Sequence, residues 1–154
     1  MASYTLRAPR LAYPASAERP AVPLLACPVK ASMGVVTKKW TLMIVRDVGF
    51  YKLSRYHEFL KNNAGLSERV LSRRLAEMVE EGLLTRIEAE GEVRYQLGEK
   101  GRDLMPVLLG FLAYGIKHHA PQVFADGKPR GLPEAFPQFD AAFVSAMLGL
   151  RTPS

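Results

Sequence analysis

Residues 55–84 read RYHEFLKNNAGLSERVLSRRLAEMVEEGLL. In the second half Leu71, Leu75 and Met78 fall at helical spacing, with Leu66 before them and Leu83 after. That stripe is expected to face a core. Glu68, Arg69, Ser72, Arg73 and Ala76 fall on the opposite face. Ser67 is placed as an N-cap, its hydroxyl accepting one orphan N–H of the first turn. Gly82 suits the position just past a helix end, where a left-handed conformation is needed. In the first half Tyr56, Phe59 and Leu60 make a smaller apolar face, and Gly65 stands in the break, as the turn between two such helices often requires. Two short helices joined this way, with Arg, Ser and Arg outward near the start of the second, suit insertion into a DNA major groove. The same pattern also fits a helical hairpin with a solvated basic face.

The residues that follow narrow the choice. Leu84–Glu88 alternates, Val93–Leu97 alternates, and Gly91 lies between them. This predicts a two-stranded hairpin. A helix-turn-helix running directly into a hairpin is a winged helix. The hairpin tip carries Glu88, Glu90 and Glu92, with only Arg86 and Arg94 as basic groups. Such a wing should repel phosphate and add little to DNA affinity.

Charge is distributed unevenly. The chain has 154 residues and a formal net charge of +6. Residues 27–75 hold ten Lys/Arg against Asp47, Glu58 and Glu68, a net +7, whereas residues 76–103 net −4. Positive charge thus gathers where the helix-turn-helix is read, the footprint expected of phosphate binding. A lysine-rich solvated surface would look the same. No apolar run is long enough to cross a bilayer. The single cysteine, Cys27, excludes an intramolecular disulfide and a cysteine-based zinc site, which fits a reducing compartment. His57, His118 and His119 lack metal-ligand spacing, and the His118–His119 pair suits a helix end, where it meets the dipole. No cofactor or metal is expected.

The flanking segments complete the plan. Residues 1–26 read as a flexible arm rich in Ala, Pro, Arg and Ser. Pro28 suits a first helical position, which makes Cys27 N-cap-like. A thiol there is open to two readings, a thiolate favoured by the helix start or a small packed apolar residue. Lys39–Val48 reads as an apolar helix capped by Thr37 and anchored by Trp40, and Ser54 as the cap of the helix after it. Glu99–His118 reads as one long helix that Pro106 starts or kinks. It is apolar on more than one face, so either a second subunit or the C-terminal tail must cover it. That tail, residues 119–154, carries one amphipathic stretch, Phe139–Leu150.

At this point the chain resembles the HxlR-type winged-helix transcriptional regulators of bacteria and archaea. The resemblance runs from Cys27 to about His118. It rests on Cys27-Pro28-Val29, Lys39-Trp40-Thr41-Leu42, Arg46-Asp47, Gly65 through Leu75, Glu80-Glu81-Gly82-Leu83, Tyr95 and Glu99-Lys100-Gly101. It implies a DNA-binding homodimer joined through terminal helices, acting on two related half-sites. It implies Ser67, Arg69, Ser72 and Arg73 in the groove, and Cys27 as a sensor of oxidants, quinones or aldehydes. The chain departs from the family pattern at Thr37-Lys38, His57, Asn63-Ala64, the proline-free wing and Gly98, which stands where Thr is common.

The expected protein is therefore mainly α with a small β-hairpin wing, a winged helix-turn-helix of α+β class. Residues 27–118 form the DNA-binding domain, with a dimerisation helix at 99–118. Arg69 and Arg73 are expected to read guanine edges. Arg55, Lys61 and Lys52 are expected at phosphates, which position without specifying. The partners are double-stranded DNA and a second copy, with an unidentified small-molecule or oxidant effector, in the cytoplasm and without a membrane. The competing class is a winged-helix adaptor for protein contact. A thiol enzyme would need a base near Cys27, and the sequence offers none beside it, so no enzymatic activity is expected.

Overall fold

The computed structural model describes Val22 and residues 24–147. The chain divides into two units, residues 1–38 and 39–154. In the first unit α1 spans Pro28–Ser32, with Pro28 in its first turn and Cys27 as an extended N-cap residue. Cys27 is half-buried. The Thr37 hydroxyl donates to the Gly34 carbonyl at 3.2 Å rather than capping the next helix. The arm read over residues 1–26 lies outside the described residues except at Val22 and 24–26.

The second unit begins with α2, Thr41–Gly49. It starts two residues later than its apolar pattern suggests, because Trp40 adopts a left-handed conformation with φ 79° and serves as the N-cap. The buried Arg74 guanidinium donates to the adjoining Lys39 carbonyl at 3.2 Å. Ile44, Val45 and Val48 point into the core. α3 covers Tyr56–Asn62 and α4 covers Glu68–Glu80. Arg55, not Ser54, is the N-cap residue of α3. The Glu58 carboxylate takes the N–H groups of both Ser54 and Arg55, each at 2.8 Å, so the Ser54 hydroxyl is not needed there.

α4 is bounded as its sequence requires. Ser67 Oγ accepts the Val70 N–H at 3.3 Å. At the other end the Leu83 N–H reaches the Met78 carbonyl and the Gly82 N–H the Val79 carbonyl. Gly82 has φ +81°, which completes a Schellman stop. Leu71, Leu75 and Met78 are buried with Phe59 of α3 and with Leu66, Leu83 and Leu84.

The wing is β1, Leu84–Ala89, antiparallel to β2, Glu92–Leu97, in the register Leu84↔Leu97 to Ala89↔Glu92. Glu90 and Gly91 form the two-residue turn, both at positive φ, as a type I′ hairpin demands. The wing is fastened to the helix-turn-helix. The Tyr95 N–H donates to the Ser54 carbonyl at 2.8 Å, and the Tyr95 ring meets Phe59 edge-on.

The expected single helix 99–118 is two. α5 spans Glu99–Asp103 and α6 spans Met105–His118, with Leu104 between them. Pro106 has no N–H to return to residue 102, so the first ladder stops and a new one starts around it. Gly98 and Gly101 press α5 against the end of α4, where a Cβ on either would collide with the carbonyl oxygens of Gly82 and Leu83. Thr cannot replace Gly98 here without moving that backbone.

The tail folds back as α7, Ala120–Val123, α8, Leu132–Ala135, and α9, Ala141–Met147. α8 and α9 both pack on α6. α9 is shorter than the amphipathic stretch because Asp140 caps it, accepting the Phe143 N–H at 2.8 Å. Its expected continuation to Leu150 lies outside the described residues. Even with the tail in place, Val107, Phe111 and Tyr114 remain 45%, 59% and 57% exposed on α6.

One polar knot sits under the helix-turn-helix. The Asp47 side chain is 0% exposed. It accepts from Arg46 Nε at 2.9 Å and Nη2 at 2.7 Å, from Asn62 Nδ2 at 2.9 Å and from Asn63 Nδ2 at 2.6 Å. A buried carboxylate is tolerated only when paired and bonded in this way. Asp47→Ala removes the carboxylate that Arg46, Asn62 and Asn63 share and leaves the Arg46 charge without its counter-ion. Urea denaturation should show a loss of roughly 3–5 kcal/mol, the usual cost of halving a buried pair. A loss below about 1 kcal/mol would remove the knot as a mainstay of the fold.

Candidate nucleic-acid interface

α4 offers its outer face to solvent. Ser67, Arg69, Ser72, Arg73 and Ala76 are all exposed. Arg69, Ser72, Arg73 and Ala76 follow the i, i+3, i+4, i+7 spacing of one helix face. Neither Arg69 nor Arg73 is tied up by a carboxylate among the described residues. Arg74, the next residue, points the other way. It is buried, ion-paired with Glu77 and bonded to the Lys39 carbonyl. Adjacent arginines thus have opposite duties, one displayed and one structural.

Tyr56 belongs to this face, although its sequence context marks only an apolar position. Its hydroxyl donates to the Glu68 carbonyl at 2.8 Å and lies 2.9 Å from Ser72 Oγ. This joins the first turns of α3 and α4 and holds the Ser72 hydroxyl beside Arg69 and Arg73. No spacing in the sequence pairs Tyr56 with Ser72, because the contact depends on the crossing of two helices.

The three cations expected at phosphates part company. Lys61 is exposed at the end of α3. Arg55 donates to Glu92 of the wing at 2.8 Å. Both partners are solvent-accessible, and an exposed pair is weak because water screens it, so the guanidinium is readily exchanged onto another anion. Lys52 is not brought to the α4 face. It sits at φ 58° with its amino group on the Gly49 carbonyl, 2.7 Å away, lining an apolar cavity that includes no α4 residue.

The wing pairs both of its arginines with its own acids. Arg86 pairs with Glu88 at 2.9 Å and Arg94 with Glu92 at 3.0 Å. The Arg94 hydrogen bond, helped by the Arg55 charge, holds the Glu92 carboxyl below the usual carboxylate range. The Glu88 hydrogen bond raises the Arg86 guanidinium. Among the described residues no cluster of His, Cys, Asp and Glu could hold a metal ion. No helix among them is long and apolar enough to cross a membrane.

A helix-turn-helix with a fastened wing and a bare basic second helix defines a winged helix-turn-helix protein. Residues 35–123 match the family model described as HxlR-like helix-turn-helix. The chain belongs to that family, whose curated relatives are HTH-type transcriptional regulators. YdzF of Bacillus subtilis (strain 168) is 26% identical over 99 residues, covering 62% of this chain and 91% of YdzF. Among solved structures, PA1607, provisionally designated a transcription factor, is 37% identical with a TM-score of 0.55. That match covers 58% of this chain and 63% of PA1607. The redox regulator HypR in its reduced form is 26% identical with a TM-score of 0.54, over 58% of this chain and 90% of HypR. The family match ends at Val123, so α8 and α9 lie beyond it.

Glu58 supports the interface from beneath. The Ser54 N–H, and then the Arg55 N–H, hold its carboxyl below the ordinary value of 4.5. A carboxylate whose folded pKa is depressed contributes stability above its ordinary pKa and loses it as pH falls through the folded one. Stability should therefore decline below pH 4.5 in part through Glu58. Glu58→Gln should be less stable at neutral pH and show a shallower acid limb in thermal melts across that window. Parallel acid limbs in the two proteins would dismiss the contribution.

Proposed function

We infer that the chain is a sequence-specific DNA-binding transcription regulator that acts as a homodimer, with α4 in the major groove. The observation that carries this reading is the exposed, unneutralised arginine pair on a helix capped and held for display. Arg69 and Arg73 read guanine edges, where a guanidinium makes two hydrogen bonds to O6 and N7. Ser67 and Ser72 stand at the same face, and Arg55 and Lys61 bind flanking phosphates. Lys52 is left out of the contact set, since its amino group is held on the cavity side. The exposed stripe Val107, Phe111 and Tyr114 on α6 supplies the face for a second copy. The reading places the protein in the cytoplasm, with no enzymatic role.

Selection of bound DNA from a random pool, at two salt concentrations, tests this directly. An inverted repeat should be enriched, with affinity falling steeply as salt rises. Arg73→Ala should cost about 1–3 kcal/mol on that site and relax specificity at one base pair. No enriched motif and a flat salt response would mean that the wing-helix face serves a protein partner instead. A monomer in sedimentation at micromolar protein would overturn the dimer.

Thiol control of this regulator is part of the reading. Cys27 is half-buried and therefore partly within reach of solvent, and the similar structure of HypR is of a redox regulator. With one cysteine per chain, oxidation by diamide would join two Cys27 thiols across subunits, with diamide taking up both electrons and both protons. A quinone would instead add to one thiolate. Treatment with either should change operator affinity in the wild type and leave Cys27→Ser unmoved. Identical responses of the two proteins would end the sensing hypothesis.

A further inference from the structure

The C-terminal elements outside the family match do more than cover α6. Together with α2, β2 and α6 they wall an apolar cavity of about 1120 Å³. Its aromatic lining includes Phe50, Tyr95, Phe111, Phe136, Phe139 and Phe143. Phe139 is the hub, with ring centroids 5.3 Å from Phe50, 5.9 Å from Phe136 and 5.1 Å from Phe143. The tail therefore closes the cavity onto the C-terminal end of α2. The cavity opens to solvent, with Tyr51 and Phe111 exposed on its walls and Lys52 and Arg102 at its exposed rim. Sites for drug-sized molecules occupy roughly 300–1,000 Å³ and combine apolar walls with a few polar groups.

The charged groups on these walls have one sign. Arg46, Lys52 and Arg102 line the cavity, and no Asp or Glu does. Arg46 is neutralised by Asp47 at 2.7 Å. Lys52 and Arg102 are not. Each donates to a neutral backbone carbonyl, Gly49 at 2.7 Å and Leu97 at 2.9 Å, and no carboxylate among the described residues pairs with either. An apolar cavity with two uncompensated cations on its walls complements a ligand with an apolar body and one negative end.

We propose that this cavity binds an amphipathic organic acid, its apolar chain or ring system against the Phe139 cluster and its carboxylate at Lys52 and Arg102. The site is independent of the DNA-binding reading and is tested with DNA absent. Calorimetry on the full chain would use dodecanoate and pyrene-1-butyrate as probes, with dodecylammonium and dodecanol as the cationic and neutral counterparts. At least one acid should bind saturably, and dodecylammonium should bind at least about tenfold more weakly, as one charge-assisted hydrogen bond would dictate. The double variant Lys52→Gln/Arg102→Gln should lose about tenfold in acid affinity while dodecanol binding stays as in the wild type. Phe139→Ala should weaken acid and alcohol alike. The comparison of acid with amine on the wild type needs no variant to fold. No saturable binding of either acid, equal binding of acid and amine, or an unchanged double variant would each overturn the proposal. The first of these is also the outcome expected if a second copy of the chain fills the cavity.

Discussion

The carboxylate of Asp47, buried beneath the turn between α3 and α4, is the constraint on which the helix-turn-helix depends. It belongs to α2, yet two of its partners, Asn62 and Asn63, lie at the end of α3 where the chain must reverse. Asn63 also donates to the Phe59 carbonyl at 2.8 Å, so one amide satisfies the end of its own helix and the buried acid together. Arg46 completes the group by reaching both Asp47 and the Asn63 side-chain oxygen. Because each member is satisfied by the others, the turn has one geometry, and α4 leaves it at one angle. A wholly apolar contact of the same size would tolerate sliding. Hydrogen bonds at 2.6–2.9 Å do not.

Local signals made much of this legible from the sequence. Ser67 and Gly82 bound α4 as their chemistry demands, and the i, i+4, i+7 run of Leu71, Leu75 and Met78 sets which side is buried. The hairpin followed from alternation around Gly91. What escaped the sequence was non-local. Trp40 takes a left-handed conformation beside Lys39, whose carbonyl is held by Arg74 thirty-five residues away. The same contact turns Arg74 inward, although Arg73 and Arg74 look alike in the chain. Tyr56 showed its ring to the pattern and hid its hydroxyl, whose partners lie twelve and sixteen residues on. Lys52 counted toward a basic segment by position, while the loop that carries it turns its amino group toward Gly49. Charge totals along a chain say nothing about which side of the molecule receives them.

The tail bears on an alternative that the sequence left open. A long apolar helix needs cover, and either a second copy or the chain's own C-terminus could provide it. The chain does part of the work, since α8 and α9 both pack on α6. They leave Val107, Phe111 and Tyr114 bare. The tail thus covers one part of α6 and leaves another open, and Phe111 stands at the boundary, on the exposed stripe and on the cavity wall at once.

The glycine contacts at the end of α4 carry a mechanical consequence. Gly98 and Gly101 bring α5 to backbone contact with Gly82 and Leu83, and the Gly98 N–H donates to the Leu83 carbonyl at 2.9 Å. At Gly98 and Gly101 backbone meets backbone directly, with the Lys100 and Glu81 side chains alongside, 4.0 Å apart. Backbone against backbone has almost no slack, since there are no rotamers to absorb a shift. In a pair of chains joined through α6, this makes the protein a stiff caliper. The gap between its two reading helices would be set by peptide geometry, and a binding site with one base pair too many would have to bend the DNA rather than the protein.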